Sequence, residues 1–273
     1  VLVATPPSRR GIVGGAVFTG VGLGIAASGT LDPLFLAAGG VEGAWLGLGT
    51  LALLLTAVGW TGWPKEAASI AARRQQPPRQ RLTLSVAAVL VEYGLNAVGL
   101  DPHMIFLVVF ISEGLGRGLT TGSAYWVIYG IGAVAGPLLA GRLADRVGFR
   151  TALRLAYVVE AGAVALPALT AGPVWLALSS LIAGAFTPGI VPLTLGRLHD
   201  LIPADAARRS AWGRATTAWA VAQAAAAYGY SYLFGRSESY VLLFVLGAFA
   251  LVAALLLDLA VAAAGRPQHE EIR

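Results

Sequence analysis

The stretch Gly141-Arg142-Leu143-Ala144-Asp145-Arg146-Val147-Gly148-Phe149-Arg150-Thr151-Ala152-Leu153 lies between two long apolar runs, 120–141 and 151–171. It contains what a short cytoplasmic turn between two membrane helices needs. Glycines allow close backbone approach, Asp145 is placed to cap the helix that follows, and the arginines can meet helix C-terminal carbonyls and anionic lipid headgroups.

Working outward with a window of about 19 residues, the chain of 273 residues divides into eight apolar spans, 11–36, 42–63, 83–112, 120–141, 151–171, 174–196, 211–233 and 239–264. About 20 apolar residues cross the hydrocarbon core as a helix, whereas a membrane strand needs about 10 and alternates in polarity. These spans are long and do not alternate, so the expected fold is all-α, a polytopic transmembrane bundle. Composition agrees: 57% of residues are apolar and only 12% charged, against about 25% charged in a soluble domain. The chain has no cysteine, which excludes disulfides and thiolate metal sites. Its three histidines are scattered and form no H-E-x-x-H pair. No metal or cofactor is expected.

The formal charge of +5 would suit nucleic acid, but the positions of the cations explain it differently. Seventeen Lys and Arg fall in the termini and the loops on one side, and two, Arg117 and Arg236, on the other. By the positive-inside rule this places both termini in the cytoplasm, in a bacterial inner membrane with lipids as partners and nucleic acid excluded. The polar stretch from Pro64 to Arg81 includes Gln75, Gln76, Pro77 and Pro78, a composition that cannot bury apolar surface. It separates a two-span segment, 1–63, from a six-span bundle, 83–264, with 64–82 as a cytoplasmic linker and 265–273 as a tail.

The opening motif resembles the G-x-L-a-D-R-x-G-R-R loop signature of the major facilitator superfamily, departing from it at Phe149, where a basic residue is usual. By that resemblance Gly141, Arg142, Asp145, Arg146, Gly148 and Arg150 form a cytoplasmic gating motif. If Pro64 to Arg81 is the family's central loop, the eight spans correspond to helices 5–12 and the motif falls between helices 8 and 9. The stretch Pro203 to Gly213 is similar to the loop before helix 11. The glycine-rich first span and Gly94-Leu95-Asn96-Ala97-Val98-Gly99-Leu100 look like the bacterial YbfB/YjiJ subgroup. The resemblance implies a secondary transporter moving a small-molecule substrate by alternating access with protons as the coupling ion, and no enzyme. It also implies four helices missing at the N-terminus, hence a fragment or truncated gene product that does not transport alone. A non-transporting membrane interaction or sensor protein is the alternative.

An ionisable side chain at mid-membrane costs about 2.5–3.5 kcal/mol on insertion scales, so each is a functional candidate. Ser85, Glu92, Asn96, Gly99 and His103 share one face of span 83–112 by their spacing. This face reads as the wall of a polar cavity with Glu92 as its protonatable group; the other reading is an interhelical hydrogen-bond face. Asp101-Pro102 has the opposite phase and reads as a helix break, an N-cap followed by proline, with a proton site as the competing reading. Asp32-Pro33 is read in the same way. Glu160 is expected to pair with Arg154 or face headgroups, and Asp258 to sit near the inner end of the last span; neither ranks as a site. Trp219, Gln223 and Tyr129 complete the candidate pathway, whereas Trp212 is expected in an interfacial belt. Pro188 and Pro192 should bend their span. Gly20, Gly24 and Ser28 read as a small-residue packing stripe, not a dinucleotide loop.

Overall fold

A computed structural model describes residues 10–60 and 83–264, with side chains from Phe18 onward. Seven helices account for nearly all of it, and no strand occurs among the described residues. They are α1 (Arg10–Trp60), α2 (Leu84–Gly114), α3 (Leu119–Val147), α4 (Phe149–Leu169), α5 (Pro173–Leu201), α6 (Asp205–Ser237) and α7 (Tyr240–Ala264). Six of these, all but α6, are long and apolar enough to cross a membrane. The Thr216, Thr217 and Gln223 side chains lower the hydropathy of the alanine-rich α6. Taking the two limbs of α1 separately, helical segments occupy all eight apolar runs, though α6 is not among the six candidate spans. The linker 64–82 and the tail 265–273 lie outside the described residues.

α1 bends at Gly39 and Gly40, where Gly40 takes φ 62°, a region that side chains resist. The helix runs unbroken through Asp32 and Pro33, so the expected break there is corrected: the reversal sits seven residues further on, where two adjacent glycines permit it. The second limb folds back so that Gly43 and Gly47 lie against Phe35. The first limb packs on α3 through Gly22 against Ala133 and Val134, Gly29 against Trp126 and Val127, and Ala26 against Gly130. The expected small-residue stripe is real, but its phase is Gly22, Ala26 and Gly29; Gly20 and Gly24 face open space. Ser28 is the shared member, accepting from the Trp126 indole at 3.1 Å.

Residues 84–264 form the bundle. α3 and α5 meet backbone to backbone at Gly132, Gly136 and Gly184, where a Cβ would collide with main-chain atoms of the neighbouring helix. Close approach through small residues is how membrane helices gain contact without a hydrophobic drive. α2 is the central element, packed between α6 and α7 and reaching α4 and α5. It begins at Thr83, whose side chain accepts from Val86 N–H at 3.4 Å. Pro188 and Pro192 both lie inside the continuous α5.

At Asp101-Pro102 no break occurs. Asp101 keeps α-helical angles and its side chain caps nothing. The chain continues through wide π turns at Pro102–Phe106 and Phe110–Gly114, the second closed by Leu115 N–H to Phe110 O at 2.8 Å. A widened turn accommodates a proline without ending the helix, and Gly247 of α7 leaves room for the Pro102 ring.

Candidate functional site

Glu92, Asn96 and His103 lie on α2 and are all buried, as expected of one polar face. Asn96 Nδ2 donates to Glu160 Oε2 on α4 at 2.7 Å. Glu160 is 0% exposed, which corrects the expectation that it pairs with Arg154 or reaches the headgroups. Its position on α4 turns it into the bundle, where the Asn96 amide of α2 meets it. His103 Nε2 lies 2.7 Å from Ser179 Oγ of α5, which donates its own proton to Ala163 O of α4 at 2.6 Å. The serine hydrogen is thus already engaged, so the imidazole Nε2 is the donor and Nδ1, which has no partner, is the bare nitrogen. The ring meets Phe244 of α7 edge-on at 5.2 Å. Gly99, on the same face, lets Leu251 and the Gly247 carbonyl of α7 close in. This face is therefore turned toward α4, α5 and α7.

Trp219 and Gln223 lie elsewhere. Both project from α6 and are half-buried, Trp219 beside Tyr93 at 6.1 Å and Gln223 donating to Met104 Sδ at 3.5 Å. Trp212 also packs on Tyr93, at 5.8 Å. Gln223 sits beside Asp101, with one amide N–H turned to the Met104 thioether. Asp101 is 0% exposed, and neither carboxyl oxygen has a hydrogen-bond partner among the described residues. Tyr129 is fully buried on α3, hydrogen-bonded to Thr187 of α5, and within the electrostatic reach of both Glu160 and Asp101. The structure thus joins Asn96 to Glu160 on one side of α2 and sets Gln223 beside Asp101 on the other, with Trp219 one turn from Gln223 on α6.

Toward the end of the bundle where the opening motif lies, charge collects. The Asp258 carboxylate on α7 takes Arg150 Nε at 3.4 Å and Arg154 Nε at 2.5 Å. Glu92 lies in the field of Asp258, Arg197, Arg150 and Arg154, and Tyr157 stands among Glu92, Glu160 and Asp258. Within the motif Gly148 alone joins α3 to α4, with φ 79° and its N–H bonded to Ala144 O at 2.8 Å. Asp145 does not cap α4, as the sequence suggested; it is exposed in the last turn of α3. A single-residue turn leaves no room for a separate capping side chain. Gly141 faces open space, and Arg142 and Arg146 are exposed. Phe149, the departure from the usual basic residue, packs its ring on Gly196 of α5.

The sequence had no means of pairing Asn96 with a residue 64 positions away, nor Asp258 with the motif's Arg150 and with Arg154 beyond it. An unpaired acid on each of two spans was the available signal. No group of three or more His, Asp or Glu suited to a metal occurs among the described residues. A family model described as an uncharacterised MFS-type transporter, YbfB, matches residues 1–259. No curated protein matches the chain.

Proposed function

This chain belongs to the YbfB-type family of major facilitator transporters, multi-pass membrane proteins, and we propose that it moves a small solute across the bacterial inner membrane by alternating access coupled to protons. The observation that carries this reading is the buried set Glu92, Asn96 and Glu160, two carboxyls in the middle of a helical bundle, one of them held by an amide. Acids at that depth are expensive to keep and typically mark proton or ion paths. Glu160 takes and releases the proton, Asn96 positions its carboxyl, and Glu92 passes the proton on beside Tyr157 toward Asp258. The arginines Arg150, Arg154 and Arg197 draw a negative carboxylate toward the end of the bundle that we assign to the cytoplasm. The Arg150–Asp258–Arg154 cluster ties the α3–α4 turn to α7, which lets the motif respond to movement of the last helix. Gln223, Trp219 and Tyr129 face the solute path.

The test uses the full-length protein in liposomes and a solute found by screening for flux driven by a pH gradient. Glu92→Gln and Glu160→Gln should each abolish gradient-driven flux while leaving solute exchange measurable. Unchanged pH-dependent flux in both variants would remove the coupling role. Orientation has its own check, since the chain has no cysteine: a cysteine placed at Gln76 should resist an impermeant reagent added to intact cells. Its labelling from outside would reverse the assignment of the termini to the cytoplasm.

A further inference from the structure

Of the three acids buried in α2 and α4, Asp101 is the one with nothing to answer its charge. Glu160 has the Asn96 amide, and Glu92 has the arginine field. Asp101 has the neutral Gln223 side chain beside it, but no hydrogen bond forms on either oxygen and no cation pairs with it among the described residues; the ion pairs there engage Asp258, Asp200 and Asp205 instead. A fully buried, unpaired carboxyl of this kind is costly. It persists most readily where a ligand supplies the missing charge.

The surroundings specify that ligand's sign. The Trp219 ring stands one helical turn from Gln223, with the Tyr93 ring beside it, and Tyr230 and Tyr129 lie within the electrostatic reach of Asp101. The Tyr230 hydroxyl donates to Val98 O at 3.1 Å, so its proton is turned away from Asp101. The Gln223 amide is engaged by the Met104 thioether, which leaves its carbonyl oxygen for a ligand. Aromatic faces, a thioether and carbonyl oxygens all favour positive charge. The indole N–H of Trp219, which lacks a partner, and the second N–H of Gln223 are the donors on these two side chains. An anion would meet an unpaired carboxylate, and a neutral polyol would find few donors for its many acceptors. The seam reaches the surface at Trp219 and Gln223, which are half-buried beside the exposed Ala220 and Ala224 of α6.

We propose that Asp101, with Trp219 and Gln223 at its rim, binds a monovalent organic cation in the seam between α2 and α6, and that this cation is the class of solute the protein carries. The carrying half of that statement rests on the transport reading above; the binding half does not.

The experiment is equilibrium dialysis of the purified chain against radiolabelled benzyltrimethylammonium, with neopentylbenzene as the neutral probe of the same shape. The cation should bind saturably and the neutral probe at least about tenfold more weakly. Asp101→Asn should weaken the cation by about tenfold or more, and Trp219→Leu by about fivefold. Asp200→Asn, at the exposed end of α5, should leave binding unchanged. If Asp101→Asn does not fold, Asp101→Glu keeps the charge and must keep the preference for the cation. Equal binding of both probes, or full binding by Asp101→Asn, overturns the site. Cation binding that depends on Asp101, without gradient-driven flux by the full-length protein, keeps the site and removes the transport reading. Flux of a solute without any cation binding does the reverse.

Discussion

The face of α2 that carries Asn96, Gly99 and His103 is closed against α4, α5 and α7, whereas the edge that carries Asp101 is closed against nothing that answers it. Both are polar, and both are buried. The difference lies in what each polar atom meets. On the first face a donor finds an acceptor on another helix, and the polar group works as interhelical glue. On the second a charge is held without a partner, which weakens the fold and suits a ligand. Burial alone therefore does not separate a structural polar residue from a functional one in a membrane helix; the partner does.

That contrast can be broken by mutation, with stability measured by unfolding of the purified chain in detergent. The largest loss should come from Gly99→Leu. Its Cβ alone would stand 2.9 Å from Leu251 Cδ2 and 3.0 Å from the Gly247 carbonyl oxygen, and overpacking of this kind costs about 2–3 kcal/mol. Asn96→Ala should cost about 1–2 kcal/mol, since it removes an interhelical hydrogen bond and leaves the buried Glu160 without its donor. Ser179→Ala should cost about 1 kcal/mol, because the His103 Nε2 donor then loses its acceptor and Ala163 O its donor. Asp101→Leu should change stability least, or raise it, since no bond is lost and an unpaired carboxyl disappears. A loss at Asp101 as large as that at Asn96 would show that the two edges of α2 do not differ.

Much of this arrangement was legible in the chain. Apolar runs near 20 residues, the polar stretch from Pro64 to Arg81 and the motif at Gly141 to Leu153 give the all-α membrane fold, because length and hydropathy are local properties. The polar stripe Glu92, Asn96, Gly99 and His103 was legible for the same reason: helical phase is fixed by spacing. What the stripe faces was not. Glu160 looked peripheral because its partner lies 64 residues away, and Asp258 looked idle because Arg150 and Arg154 reach it only once α4 packs on α7. Asp101 was misread as a cap because an Asp-Pro pair usually ends a helix, and a wide turn leaves no distinctive residue pattern. In α1 the reversal at Gly39 and Gly40 was hidden among many glycines.

The wide turns of α2 have a consequence for chain length. An α-helix that loses one residue rotates everything beyond the loss by about 100°, so a deletion in such a helix normally re-aims every side chain that follows. A wide turn is one such residue already inserted. Removing a single residue from Phe110–Gly114 is therefore expected to return that segment to ordinary α geometry without re-aiming α3, which follows it, while the buried acids before it stay in place. Within a span that holds buried acids, this is the stretch where the sequence can shorten and the helix that follows keeps its aim.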